Sequence, residues 1–327
     1  MRKLTKLRLL DLSDCSKLSV VPPKVMSSLT ELEALYMGNT SIQWEVERPE
    51  IGRSNVSIDE LKHLPHLTIL EIHIPNAKMS KGLLSPKLER YKIFIGYEWS
   101  YEWYWNVPSK TSKMLKLNLG SIEDGIISQL KGIEELELGE VLGARILLDD
   151  LDRNGYSTLK HLSVYTNSHC LELVSCGALP LLESLAVGQM DGLKKICNRP
   201  LGAESFGQLR TIEVSNCPML NNIFTFSIVT VLPQLQEIKV SYCENMEEIF
   251  AIGGQDNGNN NEVVHEIKFS QLRILRLHSL PRLKKLCCKV KTASSLQLTS
   301  ETRAREIISE ENLDFPMSLF HDKVCPG

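Results

Sequence analysis

The side chains in this 327-residue chain best suited to chemistry are a histidine group, scattered thiols and a carboxylate cluster. His63, His66 and His73 lie close in sequence, and neutral imidazoles are the commonest metal ligands. His161 and His278 are two further imidazoles. Glu134, Glu135, Glu137 and Glu140 could divide acid and base roles if two of them faced one substrate. Cys287 and Cys288 are adjacent thiols with redox potential. Each reading depends on whether the intervening chain lets these groups converge. A phosphate-binding loop is excluded at Gly253-Gly254, which lacks the GxxxxGK[ST] context.

The elements that position these residues are set by a repeat. Phe206, Leu209, Ile212, Val214, Cys217, Leu220 and Ile223 follow the same spacing as Leu232, Leu235, Ile238, Val240, Cys243, Met246 and Ile249, offset by 26 residues without a gap. A central apolar-x-apolar pair recurs at Leu10/Leu12, Leu35/Met37, Leu70/Ile72, Tyr91/Ile93, Leu117/Leu119 and Leu136/Leu138. It continues at Leu162/Val164, Leu185/Val187, Ile212/Val214, Ile238/Val240 and Leu275/Leu277. That makes eleven irregular units with steps from 19 to 37 residues.

Alternation of apolar and polar residues defines a short strand with one buried face. The later apolar pair of each unit, such as Leu220 and Ile223, pins a return segment to the core. Each coil covers only its neighbours, so the units must stack to form one continuous core. The expected fold is an α/β solenoid, a leucine-rich-repeat horseshoe with a parallel concave β-sheet. Cys15, Cys217 and Cys243 occupy the turn after the strand and are expected to be buried there.

This frame separates the chemical candidates. His63 and His66 fall on a return, whereas His73 follows a strand, so no metal site is expected. His161 and His278 belong to distant strands. The four glutamates surround one strand and read as a solvated face. No cofactor and no catalytic group are expected. Alternation instead offers a partner-binding concave face: Asp11, Tyr36, Glu71, His73, Lys92, Asn118, Glu137, Ser163, Tyr165, Glu213, Lys239, Arg276 and His278.

A net charge of -3 and a sequence pI near 6.3 give no basic surface for nucleic acid. No apolar run approaches the roughly 20 residues of a membrane span. Nine cysteines without a CxxC pair fit a reducing, cytoplasmic setting. The solenoid is expected over 1–290, with insertions at 43–57, 97–105 and 253–264. Trp99, Trp103 and Trp105 in the aromatic insertion form either a face packed on its own coil or an exposed anchor for a partner. Residues 291–327 are expected to be a poorly ordered spacer followed by the start of a further, truncated repeat. Neither end shows a polar capping unit, so the chain reads as a piece of something longer.

The cadence of Cys217, Pro218, Leu220, Ile223 and Phe224 resembles the leucine-rich region of plant intracellular nucleotide-binding disease-resistance proteins of the coiled-coil class. So do Cys243 to Phe250, LTKLRLLDLSDCSKLSVVPP near the start, MSSLTELEALYMGNT and Phe94 to Trp99. The resemblance covers roughly residues 1–290. It implies sensing of a pathogen effector or modified host protein, and restraint of the nucleotide-binding domain of an intact receptor. No P-loop is present in this chain, so the nucleotide switch lies outside it. Alternatives are a generic adaptor, such as the substrate receptor of a ubiquitin ligase, or a truncated, non-signalling decoy.

Overall fold

The computed structural model describes residues 4–45, 54–75, 87–96, 111–118, 132–139, 158–165, 171–174, 179–197, 206–226, 232–252, 267–286, 290–292 and 297–299. A parallel sheet of 12 strands runs through them. Its strands are β1 (Leu9–Asp11), β2 (Ala34–Met37), β3 (Ile69–Ile74), β4 (Arg90–Gly96), β5 (Lys113–Asn118) and β6 (Glu135–Gly139). Then follow β7 (His161–Tyr165), β9 (Ser184–Gly188), β11 (Thr211–Ser215), β13 (Glu237–Ser241), β16 (Ile274–His278) and β18 (Gln297–Thr299). The remaining strands form three parallel pairs in the returns: β8 (Glu172–Val174) with β10 (Lys195–Cys197), β12 (Phe224–Phe226) with β14 (Phe250–Ile252), and β15 (Ile267–Phe269) with β17 (Val290–Thr292).

The parallel sheet is that of the expected leucine-rich-repeat solenoid. Among the described residues the returns hold two 3-10 helices, Met26–Ser28 and Ile58–His63, besides short strands. Such returns keep adjacent coils close, with Leu29, Leu32, Leu209, Leu220 and Leu235 fully buried beneath them. The last strand of the sheet is β18, where Leu298 lies in register with Leu275 on β16.

One correction concerns the fifth unit. Leu115 and Leu117, not Leu117 and Leu119, are its core pair, because Leu115 lies between Ile93 and Leu136 while Leu117 lies between Ile95 and Leu138. The longer strands β3 and β4 explain the shift. Each turns three apolar residues inward, Leu70/Ile72/Ile74 and Tyr91/Ile93/Ile95. The first four coils continue the column of Leu10, Leu35 and Leu70, whereas later coils start one step further along. A two-residue offset preserves the alternation, so core residues stay in the core.

Strand entry is uniform. The carbonyls of Arg8, Glu33, Thr68, Glu134, Lys160, Glu183, Arg210 and Gln236 each accept two successive amides of the next coil, as in Glu33 N and Ala34 N on Arg8 O at 2.8 and 3.0 Å. Strand exit is equally regular. Asp14, Asn39, Gln189, Asn216, Tyr242 and Ser279 share one template position and all take positive φ, between 51° and 59°. The chain turns there from the sheet into the return. Cys217 and Cys243 follow this turn fully buried, their thiols donating to Ser215 O and Ser241 O at 3.3 and 3.4 Å. Cys15 departs from expectation and is exposed.

The segment 43–57 is tied in at both ends. Trp44 and Val56 are buried, Trp44 Nε1 donates to His73 O at 2.9 Å, and Asn55 Oδ1 accepts from Val21 N at 2.8 Å. Buried Glu60 accepts from Lys24 N at 2.8 Å and Ser27 N at 3.3 Å, joining the two 3-10 returns. The middle of that segment, the insertions 97–105 and 253–264, Glu140, Cys287 and Cys288 lie outside the described residues.

Candidate partner-binding face

Side chains opposite the core fall into rows, because residues two apart on a strand share a face and parallel neighbours lie about 4.8 Å away. One row runs His73, Phe94, Lys116, Glu137, Ser163, Ala186, Glu213, Lys239 and Arg276. A second begins Asp11, Tyr36, Glu71 and Lys92. A third includes Asn118, Gly139, Tyr165, Gly188, Ser215, Ser241 and His278. Asn118 therefore sits one row away from where the unshifted fifth unit put it, and Lys116 takes its place. Sequence reasoning missed Lys116, although the alternation of Met114, Lys116 and Asn118 with Leu115 and Leu117 carried the signal.

The rows differ sharply in exposure. Asp11, Glu213 and Arg276 are exposed, while Tyr36, Glu71, Lys92, Ser163, Tyr165, Lys239 and His278 are half-buried. His73, Asn118 and Glu137 are buried, so the expectation that they are displayed to a partner is corrected. Alternation decides which side of a strand a residue leaves from, but not what lies over it. His73 stacks on Phe94 with ring centroids 4.6 Å apart, and its Nε2 lies 3.2 Å from Gly96 O. Gly96 has φ of 134°, and a Cβ there would run into the Asn118 carbonyl.

Charge in this central region is internally balanced. Lys116 Nζ lies 3.0 Å from Glu137 Oε2, with both side chains largely withdrawn from solvent. Burial pushes the Glu137 carboxyl above the usual carboxylate range, against the pull of Lys116. Glu71 is raised by the same cause, opposed by Lys92, whose ammonium is in turn lowered by burial. Among the described glutamates, Glu134, Glu135 and Glu137 are each engaged by a different partner. Burial alone would raise the Glu134 carboxyl, but hydrogen bonds from Lys160 and Ser112 hold it below its ordinary value. Glu135 accepts from Thr111 Oγ1 at 3.3 Å.

The imidazoles are equally separated. His63 and His66 are exposed on the return, away from buried His73. His161 and His278 stand four strands apart, about 19 Å at the usual inter-strand spacing. Among the described residues no group of three His, Cys, Asp or Glu side chains is placed to hold a metal ion. No helix among them is long and apolar enough to cross a membrane.

Towards the C-terminal strands the face is wetter. Glu213 on β11, Glu237 and Lys239 on β13, and Arg276 on β16 form a partly solvated lattice. Lys239 Nζ is 3.2 Å from Glu237 Oε1, and Arg276 Nη1 is 2.7 Å from the same oxygen. Tyr242 packs edge-on against His278, with centroids 5.1 Å apart.

Stacked coils with a 12-stranded parallel sheet, buried template apolars and polar residues in rows define a leucine-rich-repeat solenoid. Residues 158–244 and 181–300 match the family described as plant disease resistance protein RPS2-like, leucine-rich repeats. Over these residues the chain is similar to the leucine-rich-repeat region of plant disease-resistance proteins. It is 23% identical over 308 residues to disease resistance protein At4g27190 of Arabidopsis thaliana, covering 88% of this chain and 30% of that protein. It is 24% identical over 273 residues to the probable disease resistance protein At4g27220 of the same plant, covering 79% of this chain and 28% of that protein. The chain thus spans about three-tenths of the length of these curated relatives. Among solved structures, an internalin from Listeria monocytogenes is similar with a TM-score of 0.48 and 13% identity, covering 93% of this chain and 89% of that one.

Proposed function

We propose that this chain is the recognition surface of a plant immune receptor, binding a pathogen effector or a modified host protein in the cytoplasm. The open face of the sheet does the binding. In the intact receptor the solenoid also restrains the nucleotide-binding domain until the partner arrives. The observation that carries this reading is a coincidence of location. The family match spans 158–300, and the solvated row of Glu213, Lys239 and Arg276 lies within it. Cys15, Cys217 and Cys243 are free thiols, in keeping with a reducing compartment.

The test is a receptor carrying Glu213→Lys, Lys239→Glu and Arg276→Glu together, expressed in leaves beside the unmodified receptor and challenged with its pathogen. At equal protein level the triple variant is expected to lose the defence response, since like-charge contacts across an interface suppress binding. An undiminished response would move recognition away from this face.

A further inference from the structure

We propose that the patch formed by Lys239, Tyr242, Arg276 and His278 is an anchor for an acidic polypeptide segment that carries an aromatic or large apolar side chain. The proposal deepens the recognition reading above and rests on it.

The first argument is charge. On the open face of β13 and β16 Lys239 and Arg276 both reach Glu237, which is the one carboxylate paired with Arg276 among the described residues. Glu213 is the next nearest, 3.9 Å from Lys239, and its own side chain is 50% exposed. Arg276 spends one Nη1–H on Glu237, and its other N–H groups meet no acceptor among the described residues. Its side chain is 48% exposed, so this fork is available for a planar carboxylate, which a guanidinium binds through two parallel hydrogen bonds. On the central face, by contrast, Lys116 is committed to Glu137 inside the protein.

The second argument is backbone strain combined with exposure. Tyr242 takes φ of 55° at the strand-exit position, where the other coils place Asp14, Asn39, Gln189, Asn216 and Ser279. Asn and Asp enter the left-handed region most easily, and a bulky side chain there is uncommon. Little is returned in burial, since Tyr242 is 52% exposed. Strain with so small a packing return points to function. The ring is held edge-on by His278, two residues beyond Arg276 and on the same face, so aromatic and guanidinium present one continuous surface. Exposed tyrosine beside arginine is the composition of an interface hot spot.

The experiment uses the full chain and fluorescent synthetic peptides that alternate Glu with Phe, Gln with Phe, or Lys with Phe, read by anisotropy. The Glu peptide is expected to bind most tightly, with affinity that falls as salt rises. Tyr242→Asn and Arg276→Gln are each expected to weaken it by about tenfold or more. Tyr242→Asn should leave the melting temperature unchanged or raised, which separates loss of a contact from loss of fold. Binding that ignores peptide charge, or that both variants retain in full, overturns the proposal. So does equally tight binding of a single-stranded DNA oligonucleotide that the same variants weaken, since that assigns the patch to phosphates. A receptor that fails here yet loses its defence response on charge reversal refutes the acidic anchor alone.

Discussion

The stretch from β3 to β6 and the stretch from β9 to β16 use the same coil to different ends. In the first, strands lengthen, the register moves by two residues, and one row of the face opposite the core is itself buried. His73, Phe94, Met114, Lys116, Asn118 and Glu137 are all nearly inaccessible there. In the second, strands keep five residues, the core columns run straight, and charges on the open face stay in water. The difference teaches that strands of one constant length go with a polar face left in water. Longer strands with a register shift, by contrast, go with a polar face consumed within the molecule.

The largest break in this comparison should come from ignoring alternation. Ile238 is buried and Lys239, its neighbour, faces the open side. Ile238→Asp is expected to cost more than about 4 kcal/mol and to unfold adjoining coils, because an unpaired charge enters the core. Lys239→Asp should cost under about 1 kcal/mol, as expected of a partly solvated site. Urea melts of both variants check this, and a wild-type midpoint for Ile238→Asp would refute the register.

A smaller effect separates the two polar faces directly. Lys116→Met strands Glu137 without its cation and is expected to cost about 3–5 kcal/mol, whereas joining it with Glu137→Met should recover most of the loss. The equivalent change at Arg276 should move stability by no more than about 1 kcal/mol. Equal losses at both positions would erase the distinction between a consumed and a free face.

The smallest effect is a pH dependence at the edge of the buried region. The folded Glu134 carboxyl is held below its ordinary value of 4.5, so its contribution to stability is present above that pH and is lost as the pH falls through the folded value. Glu134→Gln is therefore expected to be less stable than wild type at neutral pH, with the gap closing under acid. Denaturant midpoints at neutral pH and below pH 4.5 measure it. A gap that widens in acid would have the wrong sign.

Much of the fold was legible because a 26-residue periodicity exposes its own core. Ile212, Val214, Ile238 and Val240 announce strands by spacing alone, and Cys217 and Cys243 announce the turns that follow. The fifth unit was legible only in part. Leu115, Leu117 and Leu119 offer two overlapping apolar pairs, and pairing with Ile93 and Leu136 is what chooses between them. Of the partner-binding face, sequence identified the side from which Glu213, Lys239 and Arg276 project, but not the strain at Tyr242.

What the sequence determined by itself is therefore the local alphabet: which residues alternate, where each coil turns, and how the coils stack. Those choices depend on neighbours within a few positions and on repetition. Only the tertiary structure decided that His73 and Glu137 are enclosed, that Lys116 joins them, and that Tyr242 meets His278. The physical reason is that burial of a polar face and contact between coils are set by residues 20 to 40 positions away, as the pairings of Lys116 with Glu137 and Tyr242 with His278 show. Local periodicity carries no record of those distances.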